Sequence, residues 1–467
     1  MALPQERVKL AGTYSTTTLS RQSHYNATAL LSPKNSPRVL TAWCFYDWAN
    51  SAHALVVVSA IFPVYFNATA RNAQGGVMLD FFGFTIKNSV LFSYTISAAF
   101  LVVAVISPIC SAIADAGGNK KAFLRGFCIL GAVSCAGLVF FTRETTGLSV
   151  VLFGLSLIGW AGSIVFYNSF LPDIATPDRF DRLSARGFTL GYIGSVLLLV
   201  QNLTMLLFPA WYGGISQDAA SQLSFLLTGL WWFGFAQIPL SLLPDSVLPT
   251  KSIRRANPFV KLRSVFAEIW QQPVLSRFLL SFFVYNTGVQ TVMYVAALFG
   301  TAELRLPDES LIATILLIQL VAIPGAYGFS WLSARVGNVR ALMMAVVVWV
   351  GICVGAYLTY TQNQFFGLAA VVGLVMGGIQ SLSRSTFAKF LPGDTARTTS
   401  YFSVYDVCEK LSIVVGTGLY GLVEAITGSM RFSVLALLLV FVVGLMLLWR
   451  VPAQKMAQTN LRTAEVL

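Results

Sequence analysis

The sequence predicts an all-α polytopic membrane protein, with twelve transmembrane helices arranged as two six-helix halves. Its 467 residues are 56% hydrophobic and only 11% charged, against about 25% charged in an ordinary soluble domain. Twelve apolar stretches each reach the roughly 20 residues that a bilayer core demands of a helix. The longest polar connection, DSVLPTKSIRRANPFVKLRSVFAEIWQQPVLSR, falls after the sixth stretch and divides the chain six plus six.

Residues 1–42 read as a flexible cytoplasmic tail. Their start is polar and rich in Ser and Thr, and it lacks the apolar run of about 7 to 15 residues that marks a signal peptide. The N-terminal bundle covers 43–244, with spans expected at 43–66, 90–113, 122–142, 148–172, 187–210 and 222–244. A cytoplasmic linker occupies 245–275. The C-terminal bundle covers 276–450, with spans at 276–300, 310–333, 341–361, 365–389, 399–423 and 432–450, and a second cytoplasmic tail runs over 451–467.

Orientation follows from the basic residues, which are retained in cytoplasmic loops. With the N-terminal tail inside, the outer loops hold only Arg71, Lys87, Arg143, Arg305 and Arg431 of the 31 Lys and Arg, so both termini are expected in the cytoplasm. The net charge of +12 is therefore a topology signal. No basic run lies in a soluble domain, and nucleic acid is excluded as a partner. The six cysteines fall singly, without CxxC or zinc-type spacing, and predict neither disulfides nor a metal site. GTGLYG at 416–421 fits a dinucleotide pattern but lies inside a span with no strand before it. No HExxH, GxSxG or P-loop is present, so no enzyme and no cofactor is expected.

The halves echo one another. SAIADAGGNKK after span two is matched by SWLSARVGNVR after span eight, with Gly118 and Gly337 in register. Phe170, Leu171 and Pro172 at the end of span four recur as Phe390, Leu391 and Pro392 at the end of span ten. Such internal repeats are a transporter architecture, with the solute site between them.

Three spans carry polar groups that must be explained. In WCFYDWANSAHALV (43–56), Tyr46, Asp47, Asn50, Ser51 and His53 share one half of the helix, which suits a water-filled cavity or a hydrogen-bonded neighbour. His53 by itself reads more readily as a packing residue than as a proton relay. Span ten places Gln380 and Arg384 on one face, and span eleven does the same with Asp406, Glu409 and Lys410. Asp47 and these charges lie at one depth, where an isolated charge costs about 2.5 to 3.5 kcal/mol on insertion scales. The expectation is one gate: Asp47 joins Arg384, Asp406, Glu409 and Lys410 across the halves when the site faces outward, and the spare acid takes a proton. A static brace is the alternative. The pairs Gly187 and Gly191, Gly351 and Gly355, and Gly373 and Gly377 read as close helix contacts.

Five ordered motifs carry a resemblance. FYDWANSA (45–52), FLPDIA (170–175), RLSARGFTLGYIGS (182–195), VYNTG (284–288) and GGIQSLSRSTFAKFLP (377–392), with YDVCEK (405–410) following, resemble the vacuole effluxer-like branch of the major facilitator superfamily. The branch includes autophagy-related vacuolar amino-acid effluxers of fungi and bacterial permeases. His53, Thr287 and Ala334 depart from its pattern, which has an aromatic at the first position and acids at the other two.

The resemblance implies a carrier of amino acids or similar small solutes; alternating access as a monomer in the bilayer is expected, with coupling to protons through Asp47 or the acids of span eleven. The membrane would be a bacterial plasma membrane or a fungal vacuolar one. It adds Trp160, Ser163, Tyr167, Asn168, Asn286, Gln290 and Tyr294 to the cavity residues Tyr46, Asn50, His53 and Gln380. It also implies a conformational latch formed by Asp115, Gly118, Lys120, Lys121, Arg335 and Gly337. A transport-inactive sensor or scaffold of the same fold is the competing reading.

Overall fold

In the computed structural model, residues 34–452 are described, apart from 73–74, 82, 118, 246–257 and 393–396. Twelve helices are long and apolar enough to cross a membrane. The first-half spans run Pro37–Thr69, Asn88–Gly117, Lys120–Phe140, Thr146–Ile174, Pro177–Leu207 and Gln217–Leu242; those of the second run Pro273–Leu304, Glu309–Val336, Asn338–Tyr357, Gln362–Phe390, Thr398–Thr427 and Met430–Trp449. The pairing of helices recurs between halves. Span one packs on five and six, as seven packs on eleven and twelve; two packs on four, as eight packs on ten. Across the divide, span two meets span eleven, and span five meets spans eight and ten. This is the two-repeat arrangement that the resemblance implies. Exposed Leu101, Val105, Val133, Leu298, Leu439 and Met446 form part of the apolar outer surface, as helices facing lipid tails require.

Local chemistry sets several helix ends. Span one begins at Pro37, whose fixed φ and missing N–H suit a first helical position. It therefore takes up residues 37–42, which the sequence reading gave to the tail. Residues 1–33 and 453–467 of the expected tails lie outside the described residues. Thr361 and Gln364 form a capping box at the start of span ten. Gly337, at φ +88°, makes the turn between spans eight and nine, a conformation that disfavours any residue with a Cβ.

Three features were not anticipated. His53–Ile61 within span one is a π-helical run, in which the Ser59 hydroxyl donates to the Ala54 carbonyl at 2.9 Å. Such wide turns concentrate at functional sites. A short antiparallel hairpin, Met78–Phe81 with Phe84–Lys87, precedes span two. The linker contains a helix, Pro258–Gln271, which buries Val265 and Ile269 against the bundle. That helix lies on the face where the described chain begins and ends, here termed the tail face; the hairpin marks the opposite face.

Candidate functional site

The cavity floor is built around one arginine. Asp47 from span one and Arg384 from span ten approach to 3.3 Å across the halves. The guanidinium spends its N–H groups fully. Nε donates to the Ser184 hydroxyl at 2.8 Å, Nη1 to Asp47 and to Asn168 Oδ1 at 3.3 Å, and Nη2 to Asp47 at 3.3 Å and the Ser184 carbonyl at 3.0 Å. Trp43 and Phe188 lie against its faces at 4.8 and 4.2 Å. The Tyr167 hydroxyl donates to Asp47 Oδ2 at 2.7 Å. A buried pair offsets its desolvation only with such complete hydrogen bonding, and arginine's planar fork supplies it. Room for the pair comes from Gly187, where a Cβ would strike Asp47 Oδ2 and come within 3.1 Å of Arg384 Nη2.

The expected five-member gate divides into two groups. Lys410 pairs with Asp406 at 3.2 Å on span eleven itself, with its ammonium near the rings of Phe100 and Trp160. Neither residue reaches Arg384. The sequence reading placed these charges at one depth, but depth does not say which way each helix is turned. Glu409, on the next side of span eleven, looks into the cavity, and Gln290 Nε2 donates to it at 3.4 Å.

Above the floor lies a cavity of ≈ 260 Å³ between the halves. Of the nominated residues, Asn50, Trp160, Asn168, Asn286, Gln290, Tyr294 and Gln380 line it, together with Asp47, Arg384 and Glu409. Three nominations, and Ser163, fall elsewhere. Tyr46 stacks on Tyr167 at 4.9 Å and is fully buried. Tyr167 lies beneath the floor as a ligand of Asp47. His53 is fully buried, with Nε2 at 3.0 Å from the Ser156 hydroxyl and its ring beside Trp232. Tyr46 and His53 share one stripe, seven residues apart, and that stripe faces spans four and six. The cavity stripe is instead Asp47, Asn50, Ser51, Ala54 and Val58.

The latch residues also separate. Asp115 accepts from the backbone N–H and hydroxyl of Ser400, at 2.8 and 2.6 Å, at the positive end of span eleven. Lys120 is paired with Asp173 and also donates to the Thr398 hydroxyl of span eleven at 3.5 Å, while Lys121 donates to the Leu243 carbonyl at 2.8 Å, so Lys121 ties its own half and Lys120 bridges to the other as well. Gly118 lies outside the described residues. Arg335 lies over the Trp331 ring at 3.9 Å. With Ala334 in the acid's place, the carboxylate comes from the other half: Asp181, at the start of span five, accepts from Ser333, Asn338 and Lys389 at 2.9, 2.7 and 2.7 Å. Side-chain bonds joining the halves run from the mid-span Tyr192 and Gln380 pair, at 2.9 Å, to the tail face.

Sequence reasoning missed Ser184, Tyr192, Asp181 and Lys389. RLSARGF carried Ser184 in plain view, but a serine acts here through its backbone carbonyl as much as its hydroxyl. It also missed Glu268 of the linker helix, which accepts from Arg397 and Tyr401 at 2.6 and 2.7 Å.

The profile of the family described as "Vacuole effluxer Atg22 like" matches residues 35–460. An MFS-type transporter of Bacillus subtilis, YxiO, is 34% identical over 419 residues, covering 88% of this chain and 94% of the relative. Autophagy-related protein 22 of Saccharomyces cerevisiae is 26% identical, covering 73% of this chain and 74% of its own length. Among solved structures, the transporter FucP in its outward conformation superposes with a TM-score of 0.65 at 16% identity, covering 90% of this chain and 99% of that one. Fold, family profile and relatives agree: the chain belongs to the vacuole effluxer Atg22-like family of major facilitator transporters, integral membrane proteins that move solutes rather than enzymes.

Proposed function

We propose that the protein carries a small polar solute, an amino acid or a related metabolite, by alternating access around the central cavity, and that the structure corresponds to its outward-facing state. The observation that carries this reading is the one-sided closure. Interhalf bonds gather at Asp47 with Arg384, Asp115 with Ser400, and Asp181 with its three donors, all on the tail side of the cavity. The basic-residue distribution supports a cytoplasmic tail face. Opening inward then requires these bonds to break together while new contacts close the hairpin face.

Proton coupling is part of the proposal. Three acids, Asp47, Asp406 and Glu409, stand against two bases, Arg384 and Lys410, on spans one, ten and eleven. Such ionisable groups inside a membrane mark transport pathways. The carrier works as a monomer, in a bacterial plasma membrane or a vacuolar one. The test is uptake of a metabolite panel by reconstituted protein, with and without an imposed pH gradient. Accumulation driven by the gradient is expected; uptake of every accepted solute that ignores the gradient rejects proton coupling and leaves exchange or uniport.

A further inference from the structure

The cavity wall bears three charged side chains among the described residues: Asp47, Arg384 and Glu409. The first two neutralise one another. The five N–H groups of an arginine are here directed at Asp47, Asn168 and Ser184, so Arg384 offers nothing to an incoming anion. Lys410 is not on the wall and is held by Asp406. Glu409 has no ion-pair partner within 4.0 Å among the described residues, so the cavity presents one uncompensated negative charge.

The rest of the wall suits a cation. Asn50 and Asn286 spend amide donors on Ser163 and Ser412, at 3.2 and 2.6 Å, and Gln290 spends one on Glu409 itself. Gln319, on the same wall, keeps a side-chain oxygen without a partner. Tyr405, one turn before Glu409, lines the cavity with its faces taken by Phe282 and Phe387, at 4.2 and 4.9 Å. Tyr294 stands one turn beyond Gln290. An exposed ring such as Tyr294 on the same wall as a carboxylate is the chemistry that holds an ammonium group.

We propose that the transported solute is a cationic amine whose ammonium group docks on Glu409, and that a free carboxylate on the solute works against binding. This rests on the carrier reading and, within its class of small polar solutes, selects a related metabolite, an amine with a neutral or blocked acid group, over the free amino acid. It leaves Asp47 and Asp406 as the acids for the proton. The volume of ≈ 260 Å³ lies below the roughly 300 Å³ at which drug-sized pockets begin. Leu55, Val58, Ile164 and Met376 supply an apolar side for a short aliphatic group.

The probe series is therefore L-leucinamide (cation), L-leucine (zwitterion) and N-acetyl-L-leucinamide (neutral), titrated by calorimetry against the purified full chain. Leucinamide is expected to bind at least tenfold more tightly than the other two. Glu409→Gln, which keeps the side chain's shape and its contact with Gln290, is expected to weaken leucinamide at least tenfold; Glu409→Asp should retain measurable binding. The proposal is overturned if leucinamide does not bind folded wild-type protein, if it binds no better than its acetylated form, or if Glu409→Gln stays within twofold of wild type. Should Glu409→Gln not fold, the wild-type ranking decides. Counterflow of leucinamide in proteoliposomes is read separately. Binding without counterflow supports the amine subsite and contradicts the carrier reading.

Discussion

Gly187 has no side chain, and that is what admits the pair beside it. A methyl group there would collide with Asp47 Oδ2 and crowd Arg384 and Tyr167, so Gly187→Ala is expected to split the pair and abolish transport. Removing one charge is worse for stability than removing both. Arg384→Gln or Asp47→Asn leaves a buried group uncompensated, at about 3 to 5 kcal/mol, whereas the double variant should recover part of that loss. Thermal unfolding of the four proteins in detergent gives the coupling directly. Arg384→Lys should not rescue, because an ammonium cannot serve Ser184, Asn168 and Asp47 at once. At this scale the sequence was half legible. Asp47 and Arg384 were found because charges in apolar helices stand out. Tyr46 and His53 were misplaced because a helical wheel gives relative angles, not which neighbour each angle faces.

At the scale of elements, the seam between spans eight and ten is backbone against backbone. Gly325 meets the Leu374 carbonyl, while Gly373 and Gly377 meet those of Ile318 and Ala322 at distances that leave no room for a Cβ. Gly377→Ala should cost about 1 to 3 kcal/mol by overpacking. Gly351, in the equally good GxxxG pair with Gly355, has open space where its Cβ would be, and Gly351→Ala should be neutral or stabilising by up to about 1 kcal/mol. The motif was legible in both places; only the surrounding helices distinguish a contact from a lipid face. The linker helix makes a separate prediction. The Glu268 carboxyl lies below the ordinary range: partial burial pushes it up, but the Arg397 and Tyr401 hydrogen bonds pull it down further. A carboxyl lowered on folding contributes stability above its unfolded value and loses it as pH falls through the folded one. Docking of this helix, followed by hydrogen exchange, is therefore expected to hold at neutral pH and loosen below about pH 4. Glu268→Gln should show the loosened state at every pH. Such a helix escaped the sequence reading because its 14 residues fall short of a membrane span.

For the whole molecule, all twelve spans were legible because bilayer thickness imposes one length and one composition on each. The echo between halves exposed the repeat, and the structure repeats its helix pairings accordingly. Conformational state was not legible, since one sequence must fold into every state of a carrier. Here the tail side is closed by three separate interhalf ties. Weakening one tie without burying a lone charge, as in Ser400→Ala, should raise the population open at the tail face; labelling of a cysteine introduced at Ser184 should rise severalfold over the same cysteine with Ser400 intact. The central claim is that the two halves move a solute around the cavity between them, and solute counterflow in proteoliposomes tests it most directly. The account predicts that unlabelled solute inside the vesicles accelerates entry of the labelled form for wild type, and that Gly187→Ala abolishes this. Folded, reconstituted protein that accelerates no solute of the panel would contradict it and leave a sensor or scaffold in a transporter's fold.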